Sequence, residues 1–128
     1  MQRLVSAAKE VRKKAHAPYS KFKVGAAVMD EKGRIHIGCN VENASYGLTV
    51  CAERNAVASA VAAGAKSLRA VAVVTSTYPP SSLCGACRQV LAEFGSADMS
   101  VTLACATKAK RAQVETTLGA LLPRAFSL

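Results

Sequence analysis

Residues 51–105 read CAERNAVASAVAAGAKSLRAVAVVTSTYPPSSLCGACRQVLAEFGSADMSVTLAC, and their pattern decides the architecture. From Cys51 to Ala63 the residues are strong or tolerable helix formers, with Ala56, Val57, Ala60 and Val61 as a buried stripe and Gly64 where a C-cap glycine belongs. Leu68 to Thr75 is a continuous apolar strand of the kind buried on both faces in a parallel pairing. Pro79 and Pro80 break the chain. A second helix is predicted from about Cys84 to Phe94, with Val90, Leu91 and Phe94 inward and Gly95 closing it, and Met99, Val101, Leu103 and Cys105 then alternate as a strand. Helices alternating with strands require crossover connections, so the centre of the sheet contains parallel neighbours.

Upstream, Leu4, Val5, Ala8, Val11 and Ala15 recur at helical spacing, and Pro18 stops the run. Phe22, Val24, Ala26 and Val28 alternate with Lys23, Gly25, Ala27 and Met29; a turn at Asp30 to Gly33 leads to Ile35, Ile37 and Cys39. That is a hairpin in which each strand should bury one face. Downstream, a strand near Val114 and a helical turn at Leu118 to Leu122 precede Pro123. The expected fold is α/β: one domain over residues 1–128, a three-layer sandwich with a mixed central β-sheet of about five strands flanked by helices.

With 128 residues, 51% hydrophobic and 20% charged, the chain has the apolar content for one buried core, which excludes a disordered tail. Its longest uninterrupted apolar run, Ala70 to Val74, is far short of a membrane span. Arg3, Lys9, Glu10 and Arg12 to Lys14 interrupt the N-terminal apolar positions, leaving no secretory-signal core, and a cytoplasmic, soluble protein is expected. The net charge of +9 raises the question of a nucleic-acid partner. The cations are scattered, however: Arg12, Lys13 and Lys14 end a helix, Lys21 and Lys23 start a strand, and Lys108, Lys110 and Arg111 lie near the C-terminal end without interleaved aromatics. A solvated basic surface is the stronger reading.

Five cysteines suit a reducing compartment better than a disulfide framework. Cys84 and Cys87 project from one face of the first turn of a helix, which is half of a zinc site. Cys51 also opens a helix, with Glu53 two residues later, so two positive helix ends would meet at one metal and favour thiolates. Three protein ligands leave the fourth tetrahedral position open, as catalytic zinc requires. Three thiolates outweigh the dication by one negative charge, which Arg54 and the helix dipoles can offset. Glu53 would handle protons between water and a leaving amine. A thioredoxin-type redox pair is the weaker reading of C-x-x-C, because it carries no partner Cys-x-Glu. Cys39 and Cys105 read as small buried core residues, and His16 and His36 as surface residues that ligate nothing.

With Cys51-Ala52-Glu53-Arg54 and Cys84-Gly85-Ala86-Cys87-Arg88-Gln89 in view, the chain resembles the small homotetrameric cytidine deaminases. The resemblance also covers residues 18–27 (PYSKFKVGAA), 38–46 (GCNVENASY) and 121–126 (LLPRAF). Zinc deaminases carry H-x-E followed by P-C-x-x-C, with a three-cysteine variant in which Cys51 stands for the histidine. The resemblance implies one Zn²⁺ per chain held by Cys51, Cys84 and Cys87, and Glu53 as the proton shuttle. It implies Asn40 and Glu42, with Val41 between them, at the ribose, and Phe22 beside the base. The backbone of Ala52 and Cys84 would meet the base edge, Phe126 would reach a neighbouring subunit's site, and Arg54 would hydrogen-bond the ligand sulfurs. The implied activity is hydrolytic deamination of cytidine and deoxycytidine for pyrimidine salvage. Competing readings are a deaminase of a nucleoside antibiotic such as blasticidin S, against which Glu42 speaks, and a polynucleotide-editing module. Leu83 departs from the pattern, standing where proline precedes the first cysteine of C-x-x-C.

Overall fold

The computed structural model describes residues 2–107 and 112–128; Lys108, Lys110 and Arg111 lie outside the described residues. The elements run α1 (Gln2–Arg12), β1 (Gly25–Asp30), β2 (Ile35–Cys39), a 3-10 turn at Tyr46–Leu48, α2 (Ala52–Ala62), β3 (Leu68–Thr75), α3 (Gly85–Phe94), β4 (Ser100–Cys105), β5 (Val114–Thr117) and α4 (Leu118–Leu121). They form one five-stranded sheet in the order β2-β1-β3-β4-β5. β3 and β4 pair in parallel, as the α3 crossover requires, and the other pairings are antiparallel. The fold is the expected mixed three-layer α/β sandwich.

The alternation of each strand assigns its side chains to one of two cores. Ala26, Val28, Val71, Val73, Val101 and Leu103 face α2 and α3, where Ala56, Val57, Ala60, Cys87 and Leu91 meet them. Ala27, Ala70, Ala72, Val74 and Ala104 face the other way, beneath Leu4, Val5 and Ala8 of α1. Each fully buried Leu or Val contributes about 1.5–3 kcal/mol relative to an exposed one. The alanine-rich face lets α1 sit close. Gly25 and Gly38 extend this logic: a Cβ on Gly25 would lie 2.0 Å from the Ala8 carbonyl oxygen, and one on Gly38 would lie 2.3 Å from the Ala56 nitrogen. Gly38 thereby seats α2 directly on β2.

Several expectations are corrected. β1 is buried on both faces rather than one, because it lies between β2 and β3 with a helix layer on either side. It begins at Gly25, not Phe22, since the Asn40 side chain instead of a strand partner occupies the preceding backbone. Val61, next to the fully buried Ala60 in the last turn of α2, is exposed, and Val90 and Phe94 are half-buried at the rim of the core. Cys39 is half-buried, while Cys105 is buried as expected. Gly64 follows α2 at φ 97, the left-handed conformation expected of a C-cap glycine.

His36 is not a surface residue. Its side chain is 11% exposed and its Nε2 lies 2.8 Å from Oδ2 of Asp30, which is fully buried. Asp30 also accepts from the Lys32 and Arg34 N–H groups at 2.9 Å each and from Arg34 Nε at 2.7 Å. Desolvation pushes the Asp30 pKa up, but the bonds from His36, Arg34 and Lys32 outweigh it and hold the carboxyl well below the usual carboxylate range. The hairpin is closed by this buried ionic knot. Among the described residues, no helix is long and apolar enough to cross a membrane.

Candidate metal centre

Cys51 and Cys84 are the residues immediately before α2 and α3, and both adopt the extended conformation of an N-cap (φ −70, ψ 154 and φ −70, ψ 164). Cys87 lies in the first turn of α3, buried, and its N–H donates to Cys84 Sγ at 3.4 Å. The three sulfurs come from chain segments 33 residues apart, yet all lie within 4.8 Å of one another, with Cys51 and Cys84 Sγ at 3.9 Å. Tetrahedral Zn–S bonds of about 2.3 Å place sulfurs about 3.8 Å apart, so the cluster fits zinc before any rearrangement.

The surrounding charges suit thiolates. Arg54 donates from Nη2 to Cys51 Sγ at 3.7 Å and to the Thr49 carbonyl at 3.3 Å, which aims the guanidinium at the sulfurs. Its Nε–H is buried and makes no hydrogen bond. Hydrogen bonding from Cys87 and Arg54 pulls the Cys51 thiol well below its ordinary value. Cys87, donating to Cys51, buried and close to the Glu53 carboxyl, is held up. Glu53, the second residue of α2, is 6% exposed and lies close to the Cys87 thiol. Burial first, and the charge on Cys51 next, raise its pKa above the usual carboxylate value.

A second group of expected residues gathers beside this cluster. Val41 and Val50 exchange backbone hydrogen bonds at 3.0 Å in each direction, so Asn40-Val41-Glu42 runs alongside the residue preceding Cys51. Val41 itself is exposed. Asn55 Nδ2 donates to the Cys39 carbonyl at 2.8 Å, fastening the same segment to α2. Asn40 is buried; its Oδ1 accepts from the Val24 N–H and its Nδ2 donates to the Phe22 carbonyl, both at 2.8 Å, which sets the half-buried Phe22. Glu42 Oε1 accepts from the Tyr19 and Ser20 N–H groups at 3.0 and 3.1 Å, and Oε2 accepts from the Ser20 hydroxyl. These bonds, that of the Ser20 hydroxyl foremost, lower the Glu42 pKa. A cleft of about 430 Å³ opens here, lined by Tyr19, Ser20, Glu42, Tyr46 and Thr49. Ala52 is fully buried at the start of α2.

Phe126 stands apart: it is 71% exposed, and its carbonyl is held by Gln89 Nε2 at 3.2 Å. Leu83 places its side chain in the core and its carbonyl under Arg88 Nε at 2.9 Å. Sequence reasoning assigned no task to Asn55, Arg88 or Gln89, because a polar residue on a helix looks the same whether it faces solvent or a distant carbonyl. Only the Arg88-Gln89 pair following Cys87 offered a signal, as part of the family pattern.

The cytidine and deoxycytidylate deaminase zinc-binding region matches residues 1–105. The chain belongs to this deaminase family. Cytidine deaminase of Sporosarcina psychrophila is 50% identical over 99% of this chain and 91% of that protein. The Halalkalibacterium halodurans cytidine deaminase is 45% identical over 98% and 93%. In three dimensions the deaminase fold superposes on the 1.6 Å crystal structure of the Burkholderia pseudomallei cytidine deaminase with a TM-score of 0.90, at 50% identity and with 98% of each chain covered. It superposes on the Mycobacterium tuberculosis cytidine deaminase with a TM-score of 0.85, at 39% identity, covering 99% of this chain and 97% of that one. A zinc-binding deaminase centre with one metal per chain accords with the single three-cysteine cluster found among the described residues.

Proposed function

We propose that this chain hydrolyses cytidine and deoxycytidine to uridine and deoxyuridine with release of ammonia. The observation that carries the reading is the convergence of three sulfurs from two helix starts upon one buried glutamate. Cys51, Cys84 and Cys87 would hold zinc, which supplies Lewis acidity and a water made nucleophilic at neutral pH. Glu53 would take one proton from the attacking water and deliver it to the pyrimidine N3, then take the second from the new C4 hydroxyl and pass it to the departing amino group, so that water's two protons end on N3 and on ammonia. Its raised pKa suits this two-way traffic, since a carboxyl that both accepts and donates works best near the operating pH. Arg54 keeps excess negative charge on the sulfurs compensated.

Asn40 and Glu42 would bind the ribose 3′-hydroxyl. Each Asn40 amide atom already serves the Phe22–Val24 backbone, which fixes the rotamer and leaves one N–H and one lone pair for the sugar. Glu42 has three of its about four acceptor positions filled by the Tyr19–Ser20 turn, and the remaining one on Oε2 suits a hydroxyl donor. Phe22 would flank the base, and the buried helix start at Ala52 and the backbone of Cys84 would meet its edge. Because buried polar groups lose their partners when the sugar is missing, kcat/KM for free cytosine should fall below that for cytidine by roughly 10³-fold or more. Equal values for the two would refute the assignment.

The working assembly is a homotetramer, in which Phe126 enters a neighbour's site, acting in the cytoplasm on salvaged pyrimidines. Support comes from the exposure of Phe126, Leu128, Tyr46 and Leu48, an apolar surface that a lone chain leaves wet, and from five cysteines without a disulfide. Light scattering should give a mass well above 13.3 kDa. Mixing inactive Glu53→Gln subunits with impaired Phe126→Ala subunits should restore turnover, because mixed assemblies contain sites with both residues intact. An active monomer would end this reading, as would no recovery after confirmed subunit exchange.

A further inference from the structure

Arg88, the residue after Cys87, spends its guanidinium on three neutral oxygens. Nε donates to the Leu83 carbonyl at 2.9 Å, Nη1 to the Leu121 carbonyl at 2.6 Å, and Nη2 to the Ser82 hydroxyl at 3.2 Å. Among the described residues no carboxylate pairs with it. Two of these acceptors belong to the loop that delivers Cys84, and the third belongs to α4, 33 residues downstream of Arg88. The adjacent Gln89 holds the Phe126 carbonyl at 3.2 Å. Leu121 and Phe126 thus bracket a short tail segment, and Arg124 within it adopts φ 55, a left-handed backbone that persists only where its surroundings hold it. The loop before Cys84 ends in a leucine whose φ is not ring-restricted; the Leu83 side chain is buried in the core and Ser81 is tied to Thr77 at 2.6 Å, while the Leu83 carbonyl and the Ser82 hydroxyl are held from α3 by Arg88.

We infer that Arg88 is a positioning residue that clasps the Cys84 loop to the end of α4, so that the metal-bearing turn and the Phe126 tail form one rigid body. The planar fork is what makes this possible. A single guanidinium presents five N–H groups in fixed directions and spans three acceptors on two chain segments, whereas the lysine ammonium is a compact point charge on a flexible stem. The catalytic consequence rests on the proposed reading of Phe126 as a contact in a neighbouring site, while the mechanical coupling does not.

The test uses zinc-loaded Arg88→Lys, which keeps the charge, and Gln89→Ala, which removes only the tail anchor. Trypsin cleavage after Arg124 reports local opening of the tail, and cleavage after Lys32 and Arg34 in the hairpin reports general loosening. In Arg88→Lys, cleavage after Arg124 should rise at least about fivefold relative to the hairpin sites, with Gln89→Ala showing a smaller rise in the same direction. No selective rise in Arg88→Lys overturns the inference, as does a rise shared equally by the hairpin. For cytidine, KM should increase severalfold with little change in kcat, and Phe126→Ala should add nothing further in the Arg88→Lys background. Selective tail opening with unaltered KM would uphold the clasp and remove Phe126 from the substrate site.

Discussion

Glu53→Gln lowers cytidine turnover by roughly 10² to 10⁴-fold, the range that a positioned general acid-base supplies, while zinc content stays at that of the parent protein. Glutamine keeps the shape and can donate a hydrogen bond, but it cannot take a proton from water. The structure sharpens this expectation, because Glu53 is buried close to the Cys87 thiol, while no carboxylate among the described residues joins the three sulfurs as a fourth ligand. Loss of activity accompanied by loss of zinc would make Glu53 a support for the metal and not its proton-transfer partner. Near-parental turnover would remove the role altogether. Metal analysis alongside steady-state kinetics separates the three outcomes.

Cys87→Ala abolishes turnover and releases zinc. Cys87 is fully buried in the first turn of α3, where no other side chain can substitute for its sulfur, and two remaining thiols hold the metal far less tightly. A ligand present at 100 times its dissociation constant stabilises the folded state by about 2.7 kcal/mol. Removing zinc from the parent protein with a chelator should therefore lower the thermal midpoint by roughly 5–15 °C. The same chelator should leave the midpoint of Cys87→Ala nearly unmoved, since that variant has no bound metal to lose. Full metal content in the variant would show that the cluster does not hold the ion.

The parts of this architecture written in local periodicity were legible in the sequence. β3 spans Leu68–Thr75 as read, because the apolar run from Ala70 to Val74 tells of a strand covered on both faces, with the exposed Arg69 at its entrance. The helix starts at Cys51 and Cys84 were equally clear, and with them the meeting of two thiol-bearing turns. β1 was read with one solvated face because alternation carries no record of how many layers cover a strand; its neighbours and α1 decide that. His36 looked like a surface residue for the same reason. Its partner Asp30 sits across the hairpin turn, and the burial of the pair depends on the Arg34 and Lys32 bonds that the turn creates. In the candidate site, the cysteines and Glu53 were found from spacing, since helix geometry fixes neighbours three residues apart. The sugar-side residues came only from family resemblance, because Asn40, Glu42 and Phe22 are joined through backbone contacts with no periodic signature. Arg88 escaped notice because its most distant acceptor lies beyond β4 and β5 in the chain.

Cys51 and Cys84 sit at the boundary between loop and helix, in nearly the same backbone conformation, and this divides the molecule into an address and a variable part. The helices, seated on the sheet by contacts such as that of Gly38 beneath α2, determine where the sulfurs lie. The loops leading into them do not. Surface loops gain and lose residues at small entropic cost. The segments 43–48 and 76–80 can therefore be shortened, extended or exchanged while the metal ligands keep their coordinates, provided that Thr49, Val50 and the clasp at Ser82 and Leu83 are retained. Chains of this architecture have a route to altered substrate range in which the chemistry is inherited unchanged and only the entrance is rebuilt.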